Sequence, residues 1–371
     1  MTVDLRSDTV TRPGAAMRQA MMAAELGDDG FRDDPTQLAL EAEIAAMLGK
    51  EAALFVPSGV MANQIAIRLQ TQPGDEVLCH AASHILDHEY SGAAAISGVM
   101  LRPLDSVDGT LPLADVRHHL AMAAAGRSAP VGLICLENTH NDRGGVVLPA
   151  GHAAAVAALA RPAGVAMHLD GARLFNAAVA SGADPAELAA PFDTLSVCMS
   201  KGLGAPVGSL LVGTHEHCAR GVRIRRYLGG LMRQTGLLAA AARYGLAHHI
   251  PRLAEDHRRA AILGAALAAI AHVEVVPPQT NLVRFSLAAA HPLRLSGESA
   301  GLVALLAAAG VRITGDGEHF RAVMHLDVDD ADLQVATAIL SAALNPALNP
   351  TLNPALDSGS TPVLTPPRSA G

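Results

Sequence analysis

The chain has 371 residues, of which 50% are hydrophobic and 17% charged, with a formal net charge of −8. Such a composition excludes disorder for most of the chain and leaves room for one large domain and one smaller one, each with a core of its own. Aromatic residues are scarce at 2%, Trp is absent and no run of Lys and Arg resembles a phosphate-backbone footprint, so neither a stacking platform nor a nucleic-acid-binding face is expected.

Met1 to Val10 is polar and has no apolar signal core, and the most apolar stretch, Ala260 to Ala271, falls short of the roughly 20 residues a bilayer requires. A cytoplasmic protein is predicted. Residues 1–13 read as an amino-terminal segment. Thr36 is the predicted cap of a helix that runs to Leu48 and is closed by Gly49. From Ala52 onward, β-rich runs alternate with helical patterns: Ala52–Val56, Glu76–His80, Val99–Leu104, Val131–Glu137, Val165–Asp170, Thr194–Ser200 and Ser209–Gly213. Most are continuously apolar, which suits strands covered on both faces. Residues 14–246 therefore read as a large α/β domain whose mostly parallel seven-stranded sheet is flanked by helices. After Gly213 the pattern is helical to about residue 271. Strands then return at Val273–Val276, Asn281–Ser286, Val311–Thr314 and Phe320–Leu326, with one helix near Ser299 to Ala309. Residues 247–344 read as a small α+β domain. Asn-Pro repeats between Leu344 and Leu356 give way to a Ser/Thr/Pro-rich end, and residues 345–371 are predicted to form a disordered tail. The cysteines at 79, 135, 198 and 218 form no CxxC pair and read as buried, reduced thiols; no metal site is expected.

Three motifs carry chemistry. His168-Leu-Asp170-Gly-Ala-Arg173 ends an apolar strand, where α/β sheets collect their ligands. Ser200-Lys201 ends another and enters a Gly-rich loop; a lysine desolvated there has the free lone pair that Schiff-base chemistry requires. Pro57-Ser58-Gly59-Val60-Met-Ala-Asn63-Gln64 joins a strand to a helix whose first N–H groups can cradle a phosphate. Taken singly, Asp170 can be an ordinary helix cap, Lys201 a solvated surface lysine and Ser58 a plain turn residue. Together they form the set a pyridoxal phosphate site needs: a phosphate cradle, a carboxylate for the pyridinium nitrogen and an amine.

At these residues the sequence resembles the low-specificity L-threonine aldolases, members of the fold-type-I group of pyridoxal-phosphate enzymes. The resemblance runs through Asp4-Leu-Arg-Ser-Asp-Thr-Val-Thr11, Gly27-Asp-Asp29, Lys50 to Gly59, Leu136-Glu-Asn-Thr-His-Asn141, His168 to Asn176, Ser200 to Ser209, Leu228-Gly-Gly230, Met232-Arg-Gln234 and Glu255-Asp-His257, covering about residues 2 to 340. It implies pyridoxal 5'-phosphate as cofactor and retro-aldol cleavage of β-hydroxy-α-amino acids to glycine and an aldehyde. It further implies Lys201 as the Schiff-base lysine, Asp170 as partner of the pyridine nitrogen, and His84 as the histidine stacked on the ring and the candidate base. Ser58, Gly59 and Val60 would bind the phosphate, with Arg226 reaching it from a neighbouring subunit of a homotetramer whose active sites are shared. Arg173, Arg321 and Ser7 would bind the substrate carboxylate. Phe31 stands where the family has a tyrosine near the substrate, and Leu231 replaces a third glycine. In the family a histidine before the Glu137 strand helps read the β-hydroxyl; here Arg127 falls nearest, so loose discrimination at the β-carbon is expected. The alternatives are another reaction on the same fold, aminotransfer or β-elimination, and a non-catalytic pyridoxal-phosphate-binding protein.

Overall fold

The structure, a computed structural model, describes residues 2–345. Apart from Asn345, the predicted tail lies outside the described residues. The strands, in chain order, are β1 (Val3–Asp4), β2 (Ala52–Val56), β3 (Glu76–His80), β4 (Met100–Leu104), β5 (Val131–Glu137), β6 (Ala166–Gly171), β7 (Thr194–Cys198), β8 (Ser209–Gly213), β9 (Val273–Val276), β10 (Leu282–Leu287), β11 (Val311–Arg312), β12 (Thr314–Gly315) and β13 (His319–Val323).

Strands β2 to β8 form the seven-stranded sheet, in the order β2-β8-β7-β6-β5-β3-β4. Only β8 opposes its neighbours; β3, β4, β5, β6 and β7 pair in parallel, and β2 shares their direction because it too is antiparallel to β8. Every residue of β3, β7 and β8 is buried. That explains why these strands are apolar without alternation: helices cover both faces of the sheet. One face packs in a cluster with Leu40, Phe55, Ile134, Leu169 and Val197, and the other in clusters around Ile65, Leu211, Val77 and Leu133. The four cysteines are free and buried.

The helix predicted to be capped by Thr36 starts two residues earlier. It spans Pro35–Met47, and its cap is Asp34, whose Oδ1 accepts from Gln37 N at 3.0 Å. Thr36 sits inside the first turn and donates to Glu25 O at 2.7 Å. Proline at the first helical position is a stronger boundary than a threonine, because its fixed φ and missing N–H cost nothing there.

A second core gathers Leu263, Leu267, Phe285, Phe320, Leu333 and Leu340, and includes Val3 and Leu5 from the amino terminus. Its sheet is antiparallel in the order β12-β13-β10-β9, with Phe285 opposite Phe320 and their rings stacked at 5.2 Å. The single strand expected over Val311–Thr314 is divided between two partners. β11 pairs in parallel with β1, while β12 pairs with β13, and Ile313 between them is buried. A strand running to Leu326 is likewise cut short at Val323, after which Met324 N turns to bond Asn281 O.

The helix His215–Tyr227 carries Arg225, a fully buried guanidinium. It donates to Phe55 O at 2.6 Å and pairs with Asp29 Oδ2 at 2.8 Å, both side chains being 0% exposed. Asp29 thereby fixes the loop before the Pro35–Met47 helix against the end of β2. Arg225→Ala would leave buried Asp29 with only the partly exposed Arg32, 3.6 Å away, as its cation, and a loss of about 3 kcal/mol in unfolding free energy is expected. Urea unfolding followed by far-UV circular dichroism measures it; a change under about 1 kcal/mol would mean the loop is held by other contacts.

Candidate active site

Because β8 alone is reversed, the carboxyl ends of β2, β3, β5, β6 and β7 all open on one edge of the large sheet. Chain segments leaving that edge deliver Ser58 and Gly59 after β2, His84 after β3, Glu137 to Asn141 at the end of β5, Asp170 and Arg173 around the end of β6, and Lys201 after β7. Residues far apart in sequence thus meet where the strand dipoles and unpaired loop backbone favour ligands.

Ser58 caps the helix Gly59–Gln70, its Oγ accepting from Met61 N at 3.2 Å, so the N–H groups of Gly59 and Val60 remain free for an anion. Gly59 is required by packing: a Cβ there would lie 2.8 Å from Cys198 Sγ on β7. Asp170 is buried and accepts from Asn63 Nδ2 at 2.7 Å and Ala172 N at 3.1 Å. Burial alone would raise its pKa. The charges of His84 and Lys201, with those hydrogen bonds, outweigh it and hold Asp170 below the ordinary carboxylate range. Lys201 lies in the loop after β7 with its charge felt at Asp170, Asp8 and His84.

His84 Nδ1 lies 2.9 Å from Glu89 Oε1 and 4.0 Å from Asp170 Oδ2. Burial disfavours its cation, but the hydrogen bond to Glu89 and the charge of Asp170 prevail, so its pKa is raised. The His84 backbone N–H donates to Glu137 Oε2, and Asn141 N donates to Glu137 Oε1, both at 2.8 Å. One buried carboxylate therefore positions two site segments. Burial, then the charge of Asp170, push Glu137 upward, while its two N–H bonds pull it back.

Arg173 is buried and forms a two-pronged pair with Asp8, at 2.7 and 2.8 Å. Its remaining Nη1 donates to Asn141 Oδ1 at 3.2 Å, and Arg321 Nη1 donates to the same oxygen at 3.0 Å. Two guanidiniums sharing one neutral acceptor leave a surplus of positive charge. Burial and then the nearby Arg173 lower the pKa of Arg321, and its Nε is buried without a partner among the described residues. Such a pair is built to receive a carboxylate. Ser7 stands half-buried beside Arg6, whose carbonyl accepts from Arg321 at 3.2 Å. Outside Arg321 opens a cavity of about 330 Å³ bounded by His88, Asp142, Arg284 and Phe320.

The structure brings together Ser58, Gly59, Val60, His84, Asp170, Arg173, Lys201, Ser7 and Arg321. It does not bring in Phe31, which is 80% exposed, or Arg226, which is exposed on the outer side of its helix. Arg127 also lies elsewhere: its loop enters β5 at the amino end, the edge opposite Glu137. Sequence reading left five contributors without a role: Asp8, Asn63, Glu89, Glu137 and Asn141. Four of them stood in runs already singled out. Glu89 was not singled out: two of its partners, Asn63 and Gln64, lie 26 and 25 residues away, and only His84 is near it in the chain.

The chain matches the model of the beta-eliminating lyase family over residues 4–290. It is 40% identical to the low specificity L-threonine aldolase of Escherichia coli K12 over 91% of this chain and 97% of that one. It is 39% identical to low-specificity L-threonine aldolase 1 of Arabidopsis thaliana over 90% and 93%. The chain belongs to the beta-eliminating lyase family. Within it, this lyase groups with the low-specificity L-threonine aldolases. Solved folds agree: a Leishmania major threonine aldolase superposes with a TM-score of 0.76 at 20% identity, covering 92% of this chain and all, 100%, of that one. A putative L-allo-threonine aldolase from Listeria monocytogenes gives 0.75 at 21% identity over 92% and 96%. The fold is therefore that of the fold-type-I threonine aldolases. Among the described residues no helix is long and apolar enough to cross a membrane.

In this lyase the Asp8–Arg173 pair carries a pH signature. Burial would raise Asp8, yet Arg173 holds it well below its ordinary value of 3.8. A depressed folded pKa contributes stability that is present above the unfolded value and lost as pH falls through the folded one. Asp8→Asn is expected to be markedly less stable than wild type at pH 7, with the difference shrinking below about pH 4. Parallel urea titrations from pH 7 to pH 3 test this; a difference independent of pH would assign the loss to shape rather than charge.

Proposed function

We propose that this protein cleaves L-threonine, L-allo-threonine and related β-hydroxy-α-amino acids to glycine and an aldehyde, reversibly, with pyridoxal 5'-phosphate as cofactor. The observation that carries the reading is the meeting of Lys201, Asp170 and His84 at one sheet edge beside the Arg173–Asn141–Arg321 cluster. The names of the relatives support it.

The donor set fits the cofactor. Free N–H groups at Gly59 and Val60, with Ser58, would take its phosphate. Asp170, ionised although buried, would hold a proton on the ring nitrogen. Lys201 would hold its aldehyde carbon through Nζ. When bound, the cofactor supplies an electron-accepting ring conjugated to the substrate nitrogen, which takes up the electrons of the breaking Cα–Cβ bond.

The chain's own residues set the rest. Arg321 and Arg173, with Ser7, would fix the α-carboxylate and so set the orientation of the Cα–Cβ bond. His84 Nε2, which has no hydrogen-bond partner among the described residues, would accept the β-hydroxyl proton. Because the pKa of His84 is raised, cleavage is expected to fall as pH drops through that value and the base becomes occupied.

The same reading makes the enzyme a homotetramer with shared sites, working in the cytoplasm. Exposed apolar side chains support an interface: Phe31 at 80%, Tyr227, next to Arg226 in the chain, at 61%, and Val60 at 39% exposed. Across it, Phe31 and Arg226 would reach a neighbour's substrate and phosphate.

Incubating the purified protein with pyridoxal phosphate and each threonine diastereomer, and measuring acetaldehyde and glycine, decides the reaction. Both are expected to be cleaved, with kcat/KM values within about tenfold of each other, because the Arg127 loop lies away from its own site. A keto acid product instead of acetaldehyde would replace the reading with elimination or aminotransfer.

Arg321→Ala is expected to raise KM for L-threonine by about tenfold to a hundredfold, the worth of a charge-assisted pair. The absorbance of bound cofactor should stay the same. An unchanged KM would remove Arg321 from the carboxylate site.

A further inference from the structure

Glu89 is buried, with a side chain 0% exposed, and its only ion-pair partner among the described residues is a histidine. Three side chains donate to it: Asn63 Nδ2 at 2.8 Å and His84 Nδ1 at 2.9 Å to Oε1, and Gln64 Nε2 at 2.7 Å to Oε2. A carboxylate so deep persists as an anion only where every neighbour donates to it.

Asn63 explains why they do. Its amide nitrogen has two hydrogens; one goes to Glu89 Oε1 and the other to Asp170 Oδ2 at 2.7 Å. The flipped amide would aim its oxygen at two carboxylates. What prevents the flip is His168, whose Nε2 lies 3.1 Å from Asn63 Oδ1. His168 is fully buried, and burial pushes its pKa down to about 4, so it is neutral and carries one ring proton. The two carboxylates turn the Asn63 oxygen toward His168, where it can only accept, so that proton sits on Nε2 and leaves Nδ1, 2.8 Å from Thr194 Oγ1, as the acceptor. Thr194 Oγ1 in turn accepts from Gln70 Nε2 at 2.7 Å, and its hydroxyl hydrogen goes to the bare Nδ1 of His168. Donor parity therefore runs one way, from Gln70 through Thr194, His168 and Asn63 into both carboxylates. Asn63 Nδ2 also occupies the space between His84, Glu89 and Asp170, whose ligand atoms lie within 4.8 Å of one another, where a cation would otherwise sit.

We propose that Glu89 is a positioning residue for the reaction, braced by Asn63 and His168, and that it fixes the His84 ring with its proton on Nδ1 and the lone pair of Nε2 toward the substrate. The proposal rests on His84 being the base in the reading above. An imidazole free to exchange tautomers would present Nε2–H part of the time and could not take the β-hydroxyl proton then. With Glu89 in place only one tautomer satisfies the hydrogen bond, and the base is ready before substrate arrives. The other groups facing His84 are Asp170, Glu137, Lys201 and His88, whose ring centre is 5.3 Å away. None of them is within hydrogen-bond distance of Nδ1 except Glu89.

The test is the Glu89→Gln holoenzyme, which keeps the shape and removes the charge. Its kcat is expected to fall by about tenfold to a hundredfold, the usual cost of losing such a support, with KM for L-threonine changed less than about threefold. The acidic limb of its kcat/KM profile should move to lower pH, since the bond from Glu89 is the largest influence raising His84. Glu89→Asp keeps the charge and withdraws it by one methylene; it should lose kcat while leaving the acidic limb near that of wild type. Nitrogen-15 NMR of histidine-labelled holoenzyme, with the His84 signal identified by its loss in His84→Asn, should report the Nδ1–H tautomer in wild type and a mixture in Glu89→Gln. An unmoved acidic limb together with an unmoved tautomer signal in Glu89→Gln would overturn the proposal. Should wild type cleave neither threonine, the reaction reading falls, and the NMR signal still decides whether Glu89 sets the tautomer.

Discussion

Arg173 cannot be buried without an anion, and the anion it has is Asp8, brought from the other end of a long stretch of chain. This one pairing organises much of the molecule. Asp8 follows β1, which hydrogen-bonds to β11, and Asp8 Oδ2 also accepts from Asn281 at 3.1 Å, just ahead of β10. Val323 N donates to Leu5 O at 2.8 Å and His325 Nε2 lies 2.7 Å from Asp4 O. The amino-terminal segment is thus held to both sheets at once, and the neutralised end of that segment floors the site where the carboxylate cluster forms.

Charge balance follows from that arrangement. Asp8, Asp170, Glu137 and Glu89 are all buried around a common space, against Arg173, Arg321, Lys201 and His84. Each carboxylate keeps its place by accepting from a defined donor: Arg173, Asn63, the backbone of His84 and Asn141, or the ring of His84. The anions are mostly matched, whereas Arg321 shares a neutral acceptor and is left short of negative charge. Under the proposed function a substrate carboxylate would complete the set, so that binding and local electrostatics favour the same ligand.

Close backbone packing supplies the remaining precision. The Lys201 loop passes the helix Leu253–Ala268 at Gly202, where a Cβ would fall 2.7 Å from Leu253 Cδ2. Gly208, at φ +115, turns the chain back into β8 against the ring of Phe55. The reversed strand β8 depends on that turn, and through it the carboxyl ends of β2 and β7 are kept on one edge.

The alternation of apolar runs with helical patterns was enough to read a helix-flanked, mostly parallel sheet, because strands covered on both faces must be continuously apolar. The strand-end positions of Asp170 and Lys201 were legible for the same reason, as was the Ser58–Gly59 turn before a helix. Pairing was not legible. Nothing local divides Val311–Thr314 between β1 and β13, and nothing local says that Asp34 rather than Thr36 starts its helix until proline geometry is weighed. The partners of buried charges were hidden as well. Asp8 meets Arg173 across 165 residues, Asn63 meets Asp170 across 107, and Glu89 gathers Asn63, Gln64 and His84 from two segments. Sequence fixes which groups can ionise and which strands end in them; which buried donor each carboxylate meets is decided by the three-dimensional packing, since desolvation makes a charge depend on neighbours that only the fold brings near.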